Sequence, residues 1–106
     1  MPIPPSQLLE FVRNLAAPDS KSRELAADLV TDRVSSYSPI DGRILTGVLV
    51  SAAVCESDPS ALESQLNAIV QLGSLAEPEM VAGLRVLDVE ELPGELGDYV
   101  RDILED

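Results

Sequence analysis

Apolar residues recur every three or four positions along most of this chain and seldom alternate with polar ones, so the pattern predicts an all-α protein. The first two helices are predicted over residues 7–17 and 20–34. We expect Ser6 to cap the first helix and either Asp19 or Ser20 to cap the second. The spacing predicts that the inward-facing side chains are Leu8, Leu9, Val12, Leu15, Leu25, Ala26, Leu29, Val30 and Val34.

A third and a fourth helix follow the polar segment SSYSPIDG, which predicts a loop. The third helix is predicted over residues 42–56 with Asp41 as its cap. The pair Asp58 and Pro59 is a strong start signal for a fourth helix over residues 59–72, because Pro at the first helical position loses no hydrogen bond. The predicted buried residues are Ile44, Leu45, Val48, Leu49, Ala52 and Ala53 in the third helix and Leu62, Leu66 and Ile69 in the fourth.

Two more helices are predicted in the last third of the chain, over residues 78–88 and 93–105. Each begins at a proline, Pro78 in one and Pro93 in the other. The predicted inward-facing side chains are Met80, Val81, Leu84, Leu87, Leu96, Val100, Ile103 and Leu104.

The chain resembles itself at intervals typical of helical repeats. A shift of 40 residues lays segment 7–30 over segment 47–70 and places Val30 on Val70, and a further shift of 34 residues reaches the last helix pair. We therefore predict a single all-α domain of about six antiparallel helices, stacked as three HEAT-like hairpins in a short α-solenoid over residues 7–34, 42–72 and 77–105. The alternative is a six-helix globule whose helix pairs share only generic amphipathicity.

The turn-plus-helix segments APDSKSRELAADLV and ESDPSALESQLNAIVQLG resemble HEAT-type repeats, which place a short turn with Asp and Pro before an Ala- and Leu-rich helix. From about Leu8 to Glu105 the chain is similar to small HEAT-like immunity proteins of bacterial polymorphic toxin systems. SRELAADLVTDRV, AAVCESDPSALESQLNAI and LPGELGDYVRDILED carry this resemblance. It implies a cytosolic antitoxin that binds a cognate toxin domain. The third turn, DVEELPG, is longer and more acidic than a standard repeat turn, as in a terminal cap.

The charge balance favours a basic protein partner. The formal net charge is −12, and residues 77–106 hold ten acidic and two basic side chains. Such a field repels nucleic acid and anionic membranes, and it speeds encounter with a positively charged protein. The alternative interpretation is that the surplus acid only keeps a small protein in solution.

The sequence predicts no enzyme, no cofactor and no metal site. It has no histidine and no glycine-rich nucleotide motif, and its one cysteine, Cys55, is predicted to be a small buried hydrophobe. The acid pairs Glu56 with Asp58 and Glu90 with Glu91 lack the spacing and central glycine of a calcium loop. We expect Asp58 to cap a helix, and Glu90, Glu91 and Glu95 to favour the positive N-terminus of the last one.

The second helix of each repeat often lines the binding face of a solenoid, so candidate contact residues are sought there. The second and third units predict a partner-binding stripe of Glu63, Asn67, Gln71, Asp98, Arg101 and Asp102. The first unit adds Arg23, Ala27 and Asp28 to the same face. The alternative is that these are plain solvated helix faces.

We expect a cytoplasmic protein, since no secretion signal is evident and the longest apolar run, residues 44–55, is too short to span a bilayer. The leading hypothesis is an immunity protein whose acidic helical face neutralises a basic toxin domain such as a nuclease. The alternative is a helical-repeat adaptor with a non-toxin protein partner. A metal-dependent enzyme is the third possibility. The oligomeric state is open.

Overall fold

A computed structural model describes residues 3–73 and 78–105, and within these ranges it contains helices and no strand. The all-α prediction is therefore confirmed. The α-helices are α1 (Pro5–Leu15), α2 (Ser20–Asp32), α3 (Pro39–Cys55), α4 (Pro59–Gln71), α5 (Pro78–Val81) and α6 (Leu96–Glu105). The predicted start of the third hairpin, residue 77, lies outside the described residues. No helix in the described ranges has both the length and the apolar character needed to cross a membrane.

Two aspartates start α2 and α4 as the sequence predicts. The Oδ2 atom of Asp19 accepts hydrogen bonds from the backbone N–H of Ser22 at 2.9 Å and from its hydroxyl at 2.8 Å. These bonds hold the pKa of Asp19 below its ordinary value, because they favour the charged carboxylate. The Oδ2 atom of Asp58 accepts a hydrogen bond from the backbone N–H of Ala61 at 2.9 Å. Each aspartate satisfies an N–H group that the helix itself leaves unpaired.

The predicted caps of α1 and α3 are wrong, because each helix begins earlier than predicted, at a proline. Helix α1 begins at Pro5, so Ser6 lies inside its first turn and caps nothing. Helix α3 begins at Pro39, and Ser38, rather than Asp41, is its cap: the Ser38 hydroxyl oxygen accepts a hydrogen bond from the backbone N–H of Asp41 at 3.1 Å. Proline has a preset helical φ and no N–H to satisfy, so it can begin a helix earlier than the polar pattern indicates.

The fifth helix is much shorter than predicted. The sequence indicates a helix over residues 78–88, but α5 ends at Val81. Two 3₁₀ turns follow it, over Ala82–Val86 and Val89–Glu91. Gly83 accounts for part of the difference, because glycine disfavours helix interiors and a Cβ atom at this position would lie 3.1 Å from Cγ1 of Val50. The third hairpin therefore has an irregular first arm.

Helix α6 begins at Leu96, three residues after the predicted start at Pro93. Gly94 stands between them with φ of 55°, a left-handed conformation that interrupts a right-handed helix. Gly97, in the first turn of α6, allows a close approach to the preceding 3₁₀ turn: a Cβ atom there would lie 2.8 Å from the carbonyl oxygen of Val89.

The helices contact one another in a regular order. Helices α1 and α2 pack together, as do α3 and α4. Helix α2 also lies against α4 and α4 against α6, while α3 lies between α1 and α5. Three stacked hairpins would give this order, and the stacked-hairpin arrangement stays an interpretation because a six-helix globule can share these contacts.

The core consists mainly of aliphatic side chains, with Phe11 and Tyr37 as its buried aromatic members. Its largest fully buried members are Leu15, Leu45, Leu49, Leu66, Ile69, Leu72, Leu84, Val30 and Val100. The predicted burial of Leu9 and Ile44 is wrong, since both are exposed. In α1 and α3 the buried side is narrower than the run of apolar residues, so part of that run faces solvent.

Helix α2 is rotated relative to its predicted orientation. It buries Ala26, Ala27 and Val30, and it leaves Leu25 60% and Leu29 41% exposed. Predicted burial of the two leucines is therefore wrong. Of all the described elements, α2 and α4 contact each other most extensively. Small side chains on the contact side let two helix axes approach closely, which favours alanine there and turns leucine outward.

The structure favours a different offset between the first two predicted units. The capping residues Asp19 and Asp58 are 39 residues apart, and both helices that follow them are 13 residues long. With this offset Val30 corresponds to Ile69, and both are buried. The 40-residue shift pairs Val30 with Val70, which is exposed.

Tyr37 anchors the segment between α2 and α3 to the end of α2 by a hydrogen bond. Its side chain is buried, and its hydroxyl donates a hydrogen bond to the carbonyl oxygen of Val30 at 2.8 Å. Burial disfavours the phenolate and raises the pKa of Tyr37 to about 12. The Val30 carbonyl lies in the last turn of α2 and also accepts a hydrogen bond from the backbone N–H of Arg33 at 3.2 Å.

Two glycine substitutions test the packing of α6. We expect Gly97→Ala to lower the free energy of unfolding by about 2 kcal/mol, because the new methyl group must displace the Val89 backbone. The matched control is Gly47→Ala in α3, where a Cβ atom would meet nothing within 4 Å. Replacing glycine in a helix interior should raise the free energy of unfolding there by about 0.5–1 kcal/mol. Urea denaturation followed by circular dichroism measures both, and equal effects would contradict the close approach at Gly97.

Candidate functional site

The predicted partner-binding residues lie on two helices that contact each other. On α4, Glu63 and Gln71 are exposed and Asn67 is half-buried. Their spacing of four residues places them along one side of the helix. On α6 the predicted residues are Asp98, Arg101 and Asp102, and all three are exposed. Helices α4 and α6 pack against each other, so the two stripes belong to neighbouring elements. We call these six residues the acidic outer face.

The acidic outer face combines three carboxylates with one guanidinium and two amides. Arg101 Nη1 lies 3.3 Å from Asp98 Oδ1, one helical turn away, and both side chains are largely in solvent. An exposed pair of this kind contributes little to stability and remains available to a partner. Glu63 and Asp102 add two further negative charges, so the face keeps a net negative charge.

The first unit does not contribute to this face as predicted. Ala27 is fully buried between helices, so its predicted surface position is wrong. Arg23 is turned away from solvent into an ion pair with Glu56. Asp28 is exposed, as predicted.

The Arg23–Glu56 ion pair is the main polar interaction inside the described part of the chain. Arg23 Nε donates to Glu56 Oε1 at 2.7 Å, and Nη2 donates to Oε2 at 2.9 Å, so the contact is bidentate. Arg23 Nη1 also donates to the carbonyl oxygens of Ala17 at 2.8 Å and Pro18 at 2.9 Å. These carbonyls belong to the turn between α1 and α2. Arg23 therefore joins the turn of the first hairpin to that of the second.

The side chain of Glu56 is fully buried, and its carboxylate receives hydrogen bonds from three residues. Besides Arg23, the Nε2 atom of Gln65 donates to its Oε1 at 2.8 Å, and the backbone N–H of Asp58 donates to its Oε2 at 3.1 Å. The hydrogen bonds from Arg23 outweigh the effect of burial and lower the pKa of Glu56 to about 2. The same pair raises the pKa of Arg23.

Gln65 supports the ion pair from α4. Its side chain is completely buried, and its Nε2 atom faces the carboxylate of Glu56. A carboxylate accepts hydrogen bonds and donates none, so this orientation of the amide is chemically required. Among the described residues the Oε1 atom of Gln65 has no hydrogen-bond partner. The hydrogen bond from Gln65 Nε2 to the buried Glu56 carboxylate offsets the cost of leaving Gln65 Oε1 without a partner.

Sequence reasoning missed this ion pair, although a signal was present. Glu56 directly follows an apolar helix and precedes the helix start at Asp58, where a charged residue buried in the turn needs a partner. Arg23 stands near the corresponding turn of the first unit. Opposite charges beside the turns of the first two predicted units could have indicated that these turns contact each other.

A shallow groove of about 410 Å³ opens beside the ion pair. Leu15, Val48 and Arg23 contribute to its walls, and Cys55 lies among its lining residues. Cys55 is exposed, so its predicted burial is wrong. It stands two residues after buried Ala53, which turns its side chain about 200° around the helix and away from the core.

Comparison with protein-family models, with curated proteins and with solved structures finds no match to this chain. In the residues that the structure describes, no group of three or more metal-ligating side chains comes together. The resemblance to immunity proteins therefore stays an expectation drawn from the sequence.

Substitution of Glu56 should weaken the fold. We expect Glu56→Gln to lower the free energy of unfolding at neutral pH by about 3 kcal/mol, because Arg23 loses its charged partner inside the protein. The matched control is Glu63→Gln, which makes the same chemical change at an exposed position and should have little effect. Urea denaturation of both variants measures the difference.

The same pair predicts a pH dependence. The pKa of Glu56 is about 2 in the folded chain, against 4.5 as its ordinary value, so folding favours the carboxylate. Its contribution is complete above the ordinary pKa and is lost as the pH falls from about 4.5 towards 2. The advantage of the original chain over Glu56→Gln should therefore shrink across this range. An advantage that stays constant across it would show that the carboxylate is not paired.

Proposed function

We propose that this chain is an immunity protein that neutralises a cognate basic toxin domain through its acidic outer face. The observation that carries the proposal is the exposure of Glu63, Asp98 and Asp102 on the contacting helices α4 and α6. The sequence resemblance to small HEAT-like immunity proteins and the net charge of −12 support it.

The acidic outer face would act by competing for the positively charged surface of the toxin. A nuclease groove is lined with basic residues that attract phosphate, and carboxylates on a rigid helix pair can occupy the same positions. Opposite charges also steer the two proteins together, which raises the association rate at low salt. Asn67 and Gln71 add donors and acceptors that fix the orientation of the complex.

In this proposal the protein acts by binding alone, in the cytoplasm, with no enzymatic activity, cofactor or metal. The helices bring preformed backbone geometry to the partner, so little conformational entropy is lost on association. The toxin must be inhibited where it is made, which places the complex in the producing cell.

Co-expression tests the identity of the partner. The chain should copurify with the product of the adjacent upstream reading frame, and that product should be toxic when it is expressed alone. Copurification with a non-toxic complex would favour the adaptor hypothesis instead. Absence of any toxic neighbour, or failure of the pair to copurify, would contradict the immunity function.

Charge reversal tests the binding face. We expect Asp98→Lys with Asp102→Lys to weaken partner binding at least about tenfold, mainly through slower association, while the melting temperature changes little because both side chains are exposed. The control pair is Glu10→Lys with Glu90→Lys, which makes the same change in net charge at exposed acids on other elements. Titration calorimetry measures both affinities. Equal weakening by the two pairs would show that net charge, and not this face, determines binding.

A further inference from the structure

Helix α2 carries a row of exposed side chains that no described element covers. The row comprises Lys21, Leu25, Asp28, Leu29 and Asp32, and we call it the α2 outer row. Leu25 and Leu29 lie one turn apart, so they form a continuous apolar strip along the helix. Charged residues stand at both ends of that strip.

Helix α4 has no such strip on its equivalent flank, although α3 carries a second exposed apolar pair one turn apart, Ile40 and Ile44. With the 39-residue offset of the caps, Leu25 corresponds to Ser64 and Leu29 to Ala68. Ala68 is fully buried and Ser64 is half-buried, so α4 uses this flank for packing. Helix α2 has larger apolar side chains on the equivalent flank and leaves them in solvent. If the hairpins stack as predicted, the α2 outer row departs from the polar outer face that terminal units of helical stacks usually carry.

The charge distribution favours a second copy of the chain as that surface. Residues 1–43 contain six acidic and five basic side chains, whereas residues 44–106 contain thirteen acidic and two basic ones. Two copies of this acidic chain therefore repel each other least where their N-terminal segments meet. The α2 outer row lies within that nearly neutral segment.

The order of charges along α2 fits an antiparallel arrangement. Lys21, Leu25, Asp28 and Asp32 follow one another at intervals of four, three and four residues, so their spacing, though not the order of residue types, is the same in both directions. When two copies of α2 lie antiparallel in this register, Lys21 of each faces Asp32 of the other. Leu25 then lies opposite Asp28 of the second copy and about 1.5 Å along the axis from its Leu29. A twofold axis produces every contact twice.

We propose that the α2 outer row is a self-association surface, on which two copies of this chain pack antiparallel about a twofold axis. The surface includes no residue of the acidic outer face, so the proposal does not depend on the proposed function. Because one helix from each copy forms the contact, the association is concentration-dependent and weaker than that of an obligate dimer.

Sedimentation equilibrium over a series of protein concentrations tests the proposal. The average mass should rise from 11.3 kDa towards twice that value as the protein concentration increases. A mass that remains at 11.3 kDa at every concentration would overturn the proposal.

Substitutions then locate the contact. Leu25→Gln with Leu29→Gln should abolish association, whereas Val86→Gln should leave it unchanged, since Val86 is an exposed apolar residue in a 3₁₀ turn. Circular dichroism verifies that each variant is helical. Unchanged association in the double variant, or its loss in Val86→Gln, would exclude the α2 outer row.

A charge exchange tests the antiparallel register. Lys21→Asp alone should weaken association about tenfold, because two attractive pairs become repulsive. Adding Asp32→Lys restores opposite charges across the twofold axis and should recover the original affinity. The exchange also places an acid at the N-terminus and a base at the C-terminus of α2. Both charges interact favourably with the helix dipole, so we expect the double variant to stay folded. Failure of the second substitution to restore association would contradict the antiparallel arrangement.

Discussion

The buried carboxylate of Glu56 is the constraint on which the arrangement of the first two hairpins depends. It lies in the turn between α3 and α4 and receives a bidentate contact from Arg23, whose guanidinium also reaches two carbonyls of the turn between α1 and α2. A buried charge is costly unless it is paired and fully hydrogen-bonded, and Gln65 and the Asp58 amide complete its set of donors. Because the carboxylate must be satisfied, the two turns have to lie side by side.

This interaction connects the interior of the protein to its proposed binding surface through α4. Gln65 faces the carboxylate from the buried side of that helix, which fixes the rotation of α4 about its axis. On the opposite side the same rotation presents Glu63 and Gln71 to solvent. The Arg23–Glu56 ion pair and the apolar packing of α2 against α4 together determine which charged side chains of α4 are exposed to a partner.

The sequence predicted the helices well where local chemistry determines them, as at the caps Asp19 and Asp58. The sequence did not predict correctly which side chains are buried where tertiary packing determines the orientation of a helix. Leu25 and Leu29 follow helical spacing as well as Ala26 and Val30 do, and only the close approach of α4 determines which pair is buried. The exposure of five of the six predicted face residues follows from their polarity, whereas the ion pair was missed because its partners are 33 residues apart in the chain.

Direct titration of the Glu56 carboxyl group tests the central claim most sharply. The side-chain carboxyl carbon can be followed by nuclear magnetic resonance as the pH is lowered, with Glu56→Gln used to assign the signal. A bidentate, buried contact with Arg23 predicts a midpoint of about 2. A midpoint near the ordinary value of 4.5 would mean that the carboxylate titrates as it does in water, and that the two turns are not joined in this way.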